Sequence, residues 1–200
     1  MKYAKSVVIL CLLSILQGCV SPRDVYIEQK KKLDSMTIAS IMNCTNVIGR
    51  DDKLEHQIKY STQPCFVYEF GSLRFTKNDQ FLRAYKDKKS GVSVFQIYVI
   101  RKSDDWQWPY QVNYLDGDEL QSLNVSKISS DVECYRGGCT HEEHVGFWLP
   151  ESYLKNLSDK YESDRQATIV FRLKNKNAAD ADVSFKATEL VGAYRRIMQD

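Results

Sequence analysis

Alternating apolar and polar positions predict β-strands through most of the chain after residue 57. The run 92–101 is apolar on both faces, which is typical of a central strand that is covered on both sides. The run 106–114 keeps a strict period of two, and Asp116-Gly117 after it predicts a hairpin turn. Because Pro109 cannot donate a ladder hydrogen bond, this strand is predicted to lie at a sheet edge. Shorter alternating runs lie at 66–70, 145–149, 168–173 and 183–185.

Other stretches have apolar residues at helical spacing. One leads into Cys44 and has Asp34 or Ser35 as its cap, and another begins at Pro150. The last closes the chain and is predicted to dock on the sheet through one apolar stripe, which consists of Leu190, Val191, Tyr194, Ile197 and Met198. The fold class predicted from these patterns is α+β. A mainly antiparallel β-sheet, open to a sandwich-like arrangement, carries a short N-terminal helix and C-terminal helices.

The N-terminus has the composition of an export signal. Lys2 and Lys5 make it basic, and the run 7–16 is apolar except for Ser14. About 20 apolar residues are needed to cross a bilayer as a helix, so this run is too short to be a lasting anchor. The alternative is a buried helix of the folded domain. A basic start followed by a short apolar stretch and small residues favours the signal.

Leu16-Gln17-Gly18-Cys19, at the end of this run, resembles the lipobox of bacterial lipoproteins. That motif consists of Leu, a small residue, Gly or Ala, and then the cysteine that receives the lipid. The resemblance implies cleavage before Cys19, diacylglycerol on its thiol, and palmitate or a similar acyl chain. Gln17 departs from the pattern, because the family usually has Ala, Ser, Thr or Val there. Two or three acyl chains would tether the protein stably, since each buried methylene contributes about 0.8 kcal/mol.

The resemblance implies the cleavage site and the location, while the polar composition of residues 20–33 and the remaining length predict the tether and the domain. Residues 1–18 are expected to be the signal peptide, residues 19–33 a polar lipidated tether, and residues 34–200 a single globular domain. In enteric members of the family, Asp directly after the lipidated cysteine retains the protein at the inner membrane. Val20 stands there instead, which implies the outer membrane, with the domain in the periplasm or at the cell surface.

The balance of charge gives no indication of a nucleic-acid partner. Removal of Lys2 and Lys5 with the signal would cancel the formal net charge of +2. Lys30-Lys31-Lys32 is a basic run that we interpret as a solvated part of the tether, with contact to anionic lipid head groups as the alternative. The expected partners are therefore the membrane, an unidentified envelope protein, and a possible glycan or lipid.

The six cysteines divide into groups with different expected roles. Cys11 lies in the signal and Cys19 at the lipid site. The remaining ones are Cys44, Cys65, Cys134 and Cys139. An even number in an exported protein predicts two disulfides. The local pairing, Cys44–Cys65 with Cys134–Cys139, is favoured over the two other connectivities. Gly137-Gly138 would give the backbone the freedom that the shorter loop needs.

The aromatic row Trp106, Trp108, Tyr110 and Tyr114 is open to two interpretations. If the rings point inward they form part of the core, because each one buries a large apolar area. If they face solvent, they form a ligand platform that would stack on sugar rings of peptidoglycan or lipopolysaccharide. The core interpretation is favoured, and the accessibility of the two indoles distinguishes the two.

Candidate residues for metal binding or catalysis are few. Cys134, Cys139, His141 and His144 approach a metal-like spacing. An oxidising compartment favours a disulfide between the cysteines, and a spacing of three would place the histidines on opposite faces of a strand. There is no Gly-x-Ser-x-Gly turn or glycine-rich phosphate loop. We therefore expect no enzyme activity, no metal and no cofactor.

The function expected from these features is that of a non-catalytic, membrane-anchored envelope lipoprotein that acts as a protein-interaction or structural module. The alternative is a lipoprotein that binds a glycan or lipid through an aromatic platform. A metal-dependent hydrolase centred on His141, Glu142 and His144 is a less favoured hypothesis.

Replacement of Cys19 tests the lipid anchor. Radiolabelled palmitate is expected to enter the wild-type protein and not the Cys19→Ser variant, because the acyl chains need that thiol. Metabolic labelling followed by immunoprecipitation measures the incorporation. Equal labelling of both proteins would contradict the lipobox interpretation.

Overall fold

The computed structural model of the protein describes residues 31, 34–66, 79–162 and 167–200. The expected signal peptide, Cys19 and most of the tether lie outside the described residues. So do Tyr68 and Phe70 of the first predicted strand. Within the described part, Met36–Asp200 form one compact unit. No helix in these ranges is both long enough and apolar enough to span a membrane.

Two antiparallel sheets make up most of the described structure. Its helices are α1 (Ile38–Cys44), α2 (Glu151–Lys160) and α3 (Ala187–Gln199). Its strands are β1 (Asn46–Ile48), β2 (Gln57–Ser61), β3 (Asp79–Asp87), β4 (Ser93–Ser103), β5 (Pro109–Asp116), β6 (Glu119–Asn124), β7 (Ser126–Tyr135), β8 (Gly138–Leu149), β9 (Thr168–Asn175) and β10 (Ala181–Lys186). One sheet has the order β1-β2-β3-β4-β8-β7, and the other has the order β10-β9-β5-β6.

The core lies between the inner faces of the two sheets. Phe147 of β8 contacts Phe171 of β9, with ring centroids 5.3 Å apart, and Phe171 also contacts Phe185 of β10 at 5.9 Å. All three rings are almost fully buried. The predicted fold class is therefore confirmed: the protein is an α+β, sandwich-like structure that is mainly antiparallel β-sheet.

The central position predicted for the run 92–101 is confirmed, because β4 lies between β3 and β8. Its inward side chains, Phe95, Ile97 and Val99, are buried in the core. The prediction that both faces are covered is only partly right, since Val94 on the outer face is exposed and Tyr98 is half-buried. The outer face of this sheet is therefore partly open to solvent.

The edge position predicted for the strand with Pro109 is wrong. Strand β5 lies between β9 and β6, and Pro109 is its first residue. The pairing with β9 shifts register between Pro109 and Gln111. A proline at the start of a strand, beside such an irregularity, removes no regular ladder bond, which explains why an interior strand tolerates it. The predicted hairpin at Asp116-Gly117 is present between β5 and β6.

Strand β7 was not predicted from the sequence. Every residue of this edge strand is exposed, so its side chains show no alternation between buried and exposed positions. A period-two pattern arises only where one face is buried, and the sequence therefore holds no such signal here. Phe66 was predicted to begin a strand, but it is the last residue of a 3₁₀ helix, Gln63–Phe66.

The predicted helices are present, with two corrections. Thr37, rather than Asp34 or Ser35, caps α1: its side chain accepts from Ser40 N at 3.2 Å, and Ser40 Oγ accepts from Thr37 N at 2.8 Å. This reciprocal pair satisfies two backbone donors at the helix start. In α3 the predicted apolar stripe is buried except for Met198, which is 45% exposed near the end of the helix.

The two disulfides join the cysteine pairs that the sequence favoured. Cys44 at the end of α1 is bonded to Cys65 in the 3₁₀ helix. Cys134 and Cys139 face each other across the turn of the β7–β8 hairpin. The first bond holds α1 where it packs on α3, and the second closes the exposed end of the hairpin.

A buried carboxyl group lies in the first turn of α3. Glu189 is 6% exposed, and the hydroxyl of Thr62 donates to its Oε1 at 3.2 Å. Burial raises the pKa of Glu189 well above its ordinary value; the Thr62 hydrogen bond opposes this shift and the charge of Asp79 adds to it. An ionised carboxylate is costly at such a site, because one hydroxyl cannot replace its hydration.

Glu189 should make the domain less stable as pH rises. The pKa of Glu189 is higher in the folded state than in the unfolded state. The stability that the protonated carboxyl contributes is therefore fully present below about pH 4.5 and is lost as pH rises through the folded-state pKa. We expect Glu189→Gln to raise the free energy of unfolding at pH 8 by about 1–3 kcal/mol, with little change at pH 4. Urea denaturation at both pH values measures this.

The matched control for this substitution is Glu151→Gln, which changes an exposed glutamate in the first turn of α2. The carboxylate of Glu151 interacts favourably with the helix dipole, so this substitution should lower the free energy of unfolding at pH 8 by about 0.3–1 kcal/mol rather than raise it. A Glu189→Gln variant with the wild-type pH dependence would show that the buried group does not destabilise the core.

Candidate functional site

The predicted aromatic row is divided between core and surface. Tyr114 is buried, with its ring centroid 5.0 Å from that of Tyr153. Tyr110 is 43% exposed, and Trp106 and Trp108 precede β5 rather than lie in it. The core interpretation is therefore right for Tyr114. The other rings lie at the surface.

The two indoles pack against the β7–β8 hairpin. Trp106 and Trp108 have ring centroids 5.6 Å apart, and His141 meets the Trp106 ring edge-on at 4.7 Å. The ammonium group of Lys127 lies 5.5 Å from the centroid of Trp106 and 4.8 Å from that of Trp108. The cation attracts both rings, and it also occupies space that a stacking sugar would need. The indoles thus form a partly covered surface.

Glu143 fixes the backbone that carries these indoles. Its side chain is buried, and its two carboxylate oxygens accept from the backbone N–H groups of Gln107 and Trp108 at 2.9 and 3.0 Å. Trp108 has φ = 55°, a left-handed conformation that side-chain-bearing residues rarely adopt. Arg101 pairs with Glu143 in register; burial lowers the pKa of Arg101, and the charge of Glu143 opposes that shift. The carboxylate therefore stabilises a strained loop.

The proposed metal ligands do not converge. His141 pairs with Ser103 and His144 with Ile100, so the two histidines lie on opposite faces of β8. His141 contacts Trp106, whereas His144 lies on the outer face. No group of three metal-ligating side chains is present among the described residues. A hydrolase centred on His141, Glu142 and His144 is therefore not supported by this geometry.

A hydrogen-bonded chain crosses the outer face of the six-stranded sheet. The hydroxyl of Tyr98 lies 2.7 Å from His144 Nδ1, and His144 Nε2 lies 2.5 Å from a carboxylate oxygen of Glu142. Lys102 pairs with the other oxygen of Glu142 at 2.6 Å. Hydrogen bonding from Lys102, together with His144, lowers the pKa of Glu142 although burial opposes this shift, and Glu142 in turn raises the pKa of Lys102.

This chain fixes the orientation of the Tyr98 phenol. A carboxylate only accepts, so His144 must donate to Glu142 through Nε2. In the neutral imidazole Nδ1 is then the acceptor, and Tyr98 donates to it. The lone pairs of the Tyr98 oxygen stay available for an incoming donor. The arrangement can therefore hold a hydrogen-bond acceptor in one place on the sheet surface.

Tyr98 and His144 line a groove of about 370 Å³ on this face, which we call the outer groove. Its side chains come from β1 to β4, β8 and the 3₁₀ helix. Phe81 and Tyr98 stack at 4.9 Å, and the guanidinium of Arg83 lies 4.3 Å from the centroid of Tyr98. The described residues that line the groove are Asn46, Ile48, Lys59, Tyr60, Ser61, Gln63, Phe81, Arg83, Tyr85, Tyr98, Ile100 and His144.

Gln96 and Gly146 fix the position of Arg83. Gln96 is 3% exposed, and its Oε1 accepts from Arg83 Nε at 2.6 Å. A Cβ atom on Gly146 would lie only 2.9 Å from the side-chain carbon of Gln96. Glycine at this position therefore leaves room for the Gln96 amide to lie across the sheet and hold the guanidinium.

The outer groove is positively charged. Arg83 and Lys59 are among its lining residues, and no Asp or Glu is found among the described ones. Lys59 lies 3.8 Å from a carboxylate oxygen of Glu55, which is outside the lining, and both of these side chains are 46% exposed. Arg83 and Lys59 would therefore attract an anionic group that enters the groove, and none of the described lining residues would repel it with a carboxylate.

Most of the groove was not identified from the sequence. Of its lining residues, His144 was a candidate, considered as a metal ligand in a less favoured hypothesis and not as a partner of Tyr98. The alternation of Phe81, Arg83 and Tyr85 could have indicated one face of a strand. The pairing of Phe81 with Tyr98, and of Tyr98 with Gly146, depends on the register, which a single sequence does not specify.

Comparisons with known proteins do not assign either surface to an established function. No protein-family model matches the chain, and no match was found among curated proteins or solved structures. Inference about function therefore starts from the geometry of the outer groove and of the indole surface.

Substitution of Glu143 should release the indole loop. Glu143→Gln keeps one acceptor oxygen and places a donor where the second N–H group needs an acceptor. We expect a loss of about 1.5–3 kcal/mol in the free energy of unfolding, together with a red shift of tryptophan emission. Urea denaturation followed by fluorescence measures both. The exposed Glu133→Gln on the same hairpin should change neither, and equal effects of the two substitutions would contradict the role of Glu143.

Proposed function

We propose that this protein is a non-catalytic lipoprotein of the bacterial envelope, anchored through lipid on Cys19, that acts as a binding module. The lipobox-like sequence ending at Cys19 supports the anchor, and Val20 supports the outer membrane. The disulfides Cys44–Cys65 and Cys134–Cys139 are consistent with an oxidising compartment. The domain would lie in the periplasm or at the cell surface.

The observation that carries the proposal is the outer groove. Its aromatic lining includes Tyr85 and also Tyr98, which stacks on the buried ring of Phe81. The lining cation Arg83 is held by Gln96. Side chains fixed by neighbours before a ligand arrives lose little conformational freedom on binding. A concave site with aromatic walls and a few placed polar groups is typical of ligand binding.

The sequence favoured a protein-interaction or structural module and gave glycan or lipid binding as the alternative; the outer groove supports a glycan. Flat ring faces can stack on a sugar, and the hydroxyls of a sugar need several hydrogen-bonding groups around them. Asn46, Ser61 and Gln63 supply such groups at the groove. The glycan site proposed here therefore differs from the aromatic row that the sequence suggested.

A protein partner is the second candidate function, and strand β7 favours it. This strand lies at the edge of the six-stranded sheet, and all of its residues from Ser126 to Tyr135 are exposed. An exposed edge can pair with a strand of another chain. Ile128, Val132 and Tyr135 would add apolar contacts.

Sedimentation with isolated peptidoglycan sacculi, and with lipopolysaccharide micelles, tests the proposed function. We expect the detergent-solubilised mature protein to sediment with at least one of them. Tyr85→Ala should weaken this binding about 3- to 10-fold, because a lost aromatic contact costs about 0.5–1.5 kcal/mol. Tyr85 lines the groove and is half-buried, so its removal leaves the core intact.

Tyr110→Ala is the matched control, since Tyr110 is an exposed tyrosine that does not line the groove. It should bind as the wild type does. Sedimentation that is unaffected by Tyr85→Ala but lost with Tyr110→Ala would move the site back to the aromatic row. No sedimentation with either preparation would contradict glycan binding.

A further inference from the structure

We infer that the outer groove binds a sugar residue that bears a carboxylate, and that Arg83 receives this carboxylate. The inference rests on the proposed function and specifies the class of glycan. It follows from the geometry of Arg83, from the charges around it and from the size of the groove.

The guanidinium of Arg83 is held in place with one edge unused. Its Nε donates to Gln96, and its central carbon lies 4.3 and 5.7 Å from the ring centroids of Tyr98 and Tyr85. A guanidinium offers five donors in a planar fork. With Nε engaged, the terminal nitrogens stay available, and no carboxylate among the described residues forms an ion pair with them. Such a fork matches a carboxylate with two parallel hydrogen bonds.

The charges in the groove match one negative charge better than two. Among the described lining residues, Arg83 is a cation that Gln96 holds in place, while the charge of Lys59 is partly balanced by Glu55 at 3.8 Å. Both nitrogens of His144 are already engaged, by Tyr98 and by Glu142. A phosphate monoester carries nearly two charges at neutral pH and three acceptor oxygens. A carboxylate carries one charge, which the guanidinium of Arg83 can balance.

The rest of the ligand should be a sugar ring rather than a lipid chain. The volume of about 370 Å³ is at the lower end of the roughly 300–1,000 Å³ usual for small-molecule sites. Phe81 is buried and the Arg83 guanidinium lies 4.3 Å from the centroid of the Tyr98 ring, so among the described lining residues the half-buried ring of Tyr85 is the aromatic surface that a sugar can contact. When the imidazole of His144 is neutral, Tyr98 donates its proton to Nδ1, and the Tyr98 oxygen can then accept from a sugar hydroxyl.

Gly146 provides a way to disturb Arg83 without changing a lining residue. A methyl group at position 146 would approach Gln96 Cδ to 2.9 Å and Nε2 to 3.0 Å. The Gln96 amide would have to move, and its hydrogen bond to Arg83 Nε would be lost or bent. Gly146→Ala should therefore weaken binding of the carboxylate while every lining side chain remains present.

The experiment compares sugars that differ in the carboxylate. The probes are N-acetylmuramic acid with N-acetylglucosamine, and glucuronic acid with glucose, titrated into the detergent-solubilised mature protein and followed by NMR chemical shifts. The wild type should bind at least one acid about 10-fold more tightly than its neutral partner, as expected for a charge-assisted bidentate contact worth about 1.4 kcal/mol or more. Arg83→Gln should remove this preference.

The matched control is Arg172→Gln, which changes an exposed arginine of β9 paired with Asp182. It should keep the preference. Arg83→Lys should recover only part of it, because lysine restores the charge and not the planar fork. Gly146→Ala should reduce the preference and also lower the thermal midpoint, because its Cβ crowds Gln96 and Ile128. It serves as the second test if Arg83→Gln fails to fold, with the NMR spectrum showing that the variant is folded at the temperature of the titration.

Three outcomes would overturn the inference. If both acids bind no more tightly than their neutral partners and Tyr85→Ala weakens all of them, the groove binds a neutral glycan and the proposed function stands. If inorganic phosphate competes as strongly as the acids, the groove recognises phosphate. If none of the probes binds and Tyr85→Ala leaves sedimentation unchanged, both the inference and the proposed glycan site fail.

Discussion

The pairing of β4 with β3 and β8 is the constraint on which the rest of the structure depends. Successive side chains of a strand point to opposite faces, so one register places Phe95 and Ile97 in the core and Gln96 and Tyr98 on the outer face. A shift by one residue would exchange the two sets. The burial of apolar rings that stabilises the sandwich therefore also builds the aromatic and cationic groove on its other side.

Two buried carboxyl groups show how their partners decide what such a group does. Glu143 receives two backbone N–H donors and holds the strained loop that carries Trp106 and Trp108. Glu189 has the hydroxyl of Thr62 as its hydrogen-bond donor, and its pKa is raised by burial. The first group organises a surface, whereas the second adds a cost to the core because its charged form is poorly solvated.

Where burial alternates along the chain, the sequence predicted the strands and helices, as for the central strand, the final helix and the hairpin at Asp116-Gly117. It failed where burial does not alternate. Strand β7 is exposed throughout, and the indoles precede a strand whose register shifts after Pro109. Both disulfide pairs were favoured correctly because each closes a short loop. The cap at Thr37 was missed because several residues before α1 are able to accept its backbone donors.

The sequence by itself determined the fold class, the most buried strands and the local cysteine pairs, because period-two apolar patterns and short loops depend on neighbours along the chain. Only the tertiary structure decided that His144 bonds to Tyr98 and does not share a site with His141. It also decided that Gln96, packed against Gly146, holds Arg83. These contacts join residues on different strands. They depend on register and on the space that each side chain leaves to the next, which no pattern along one strand contains.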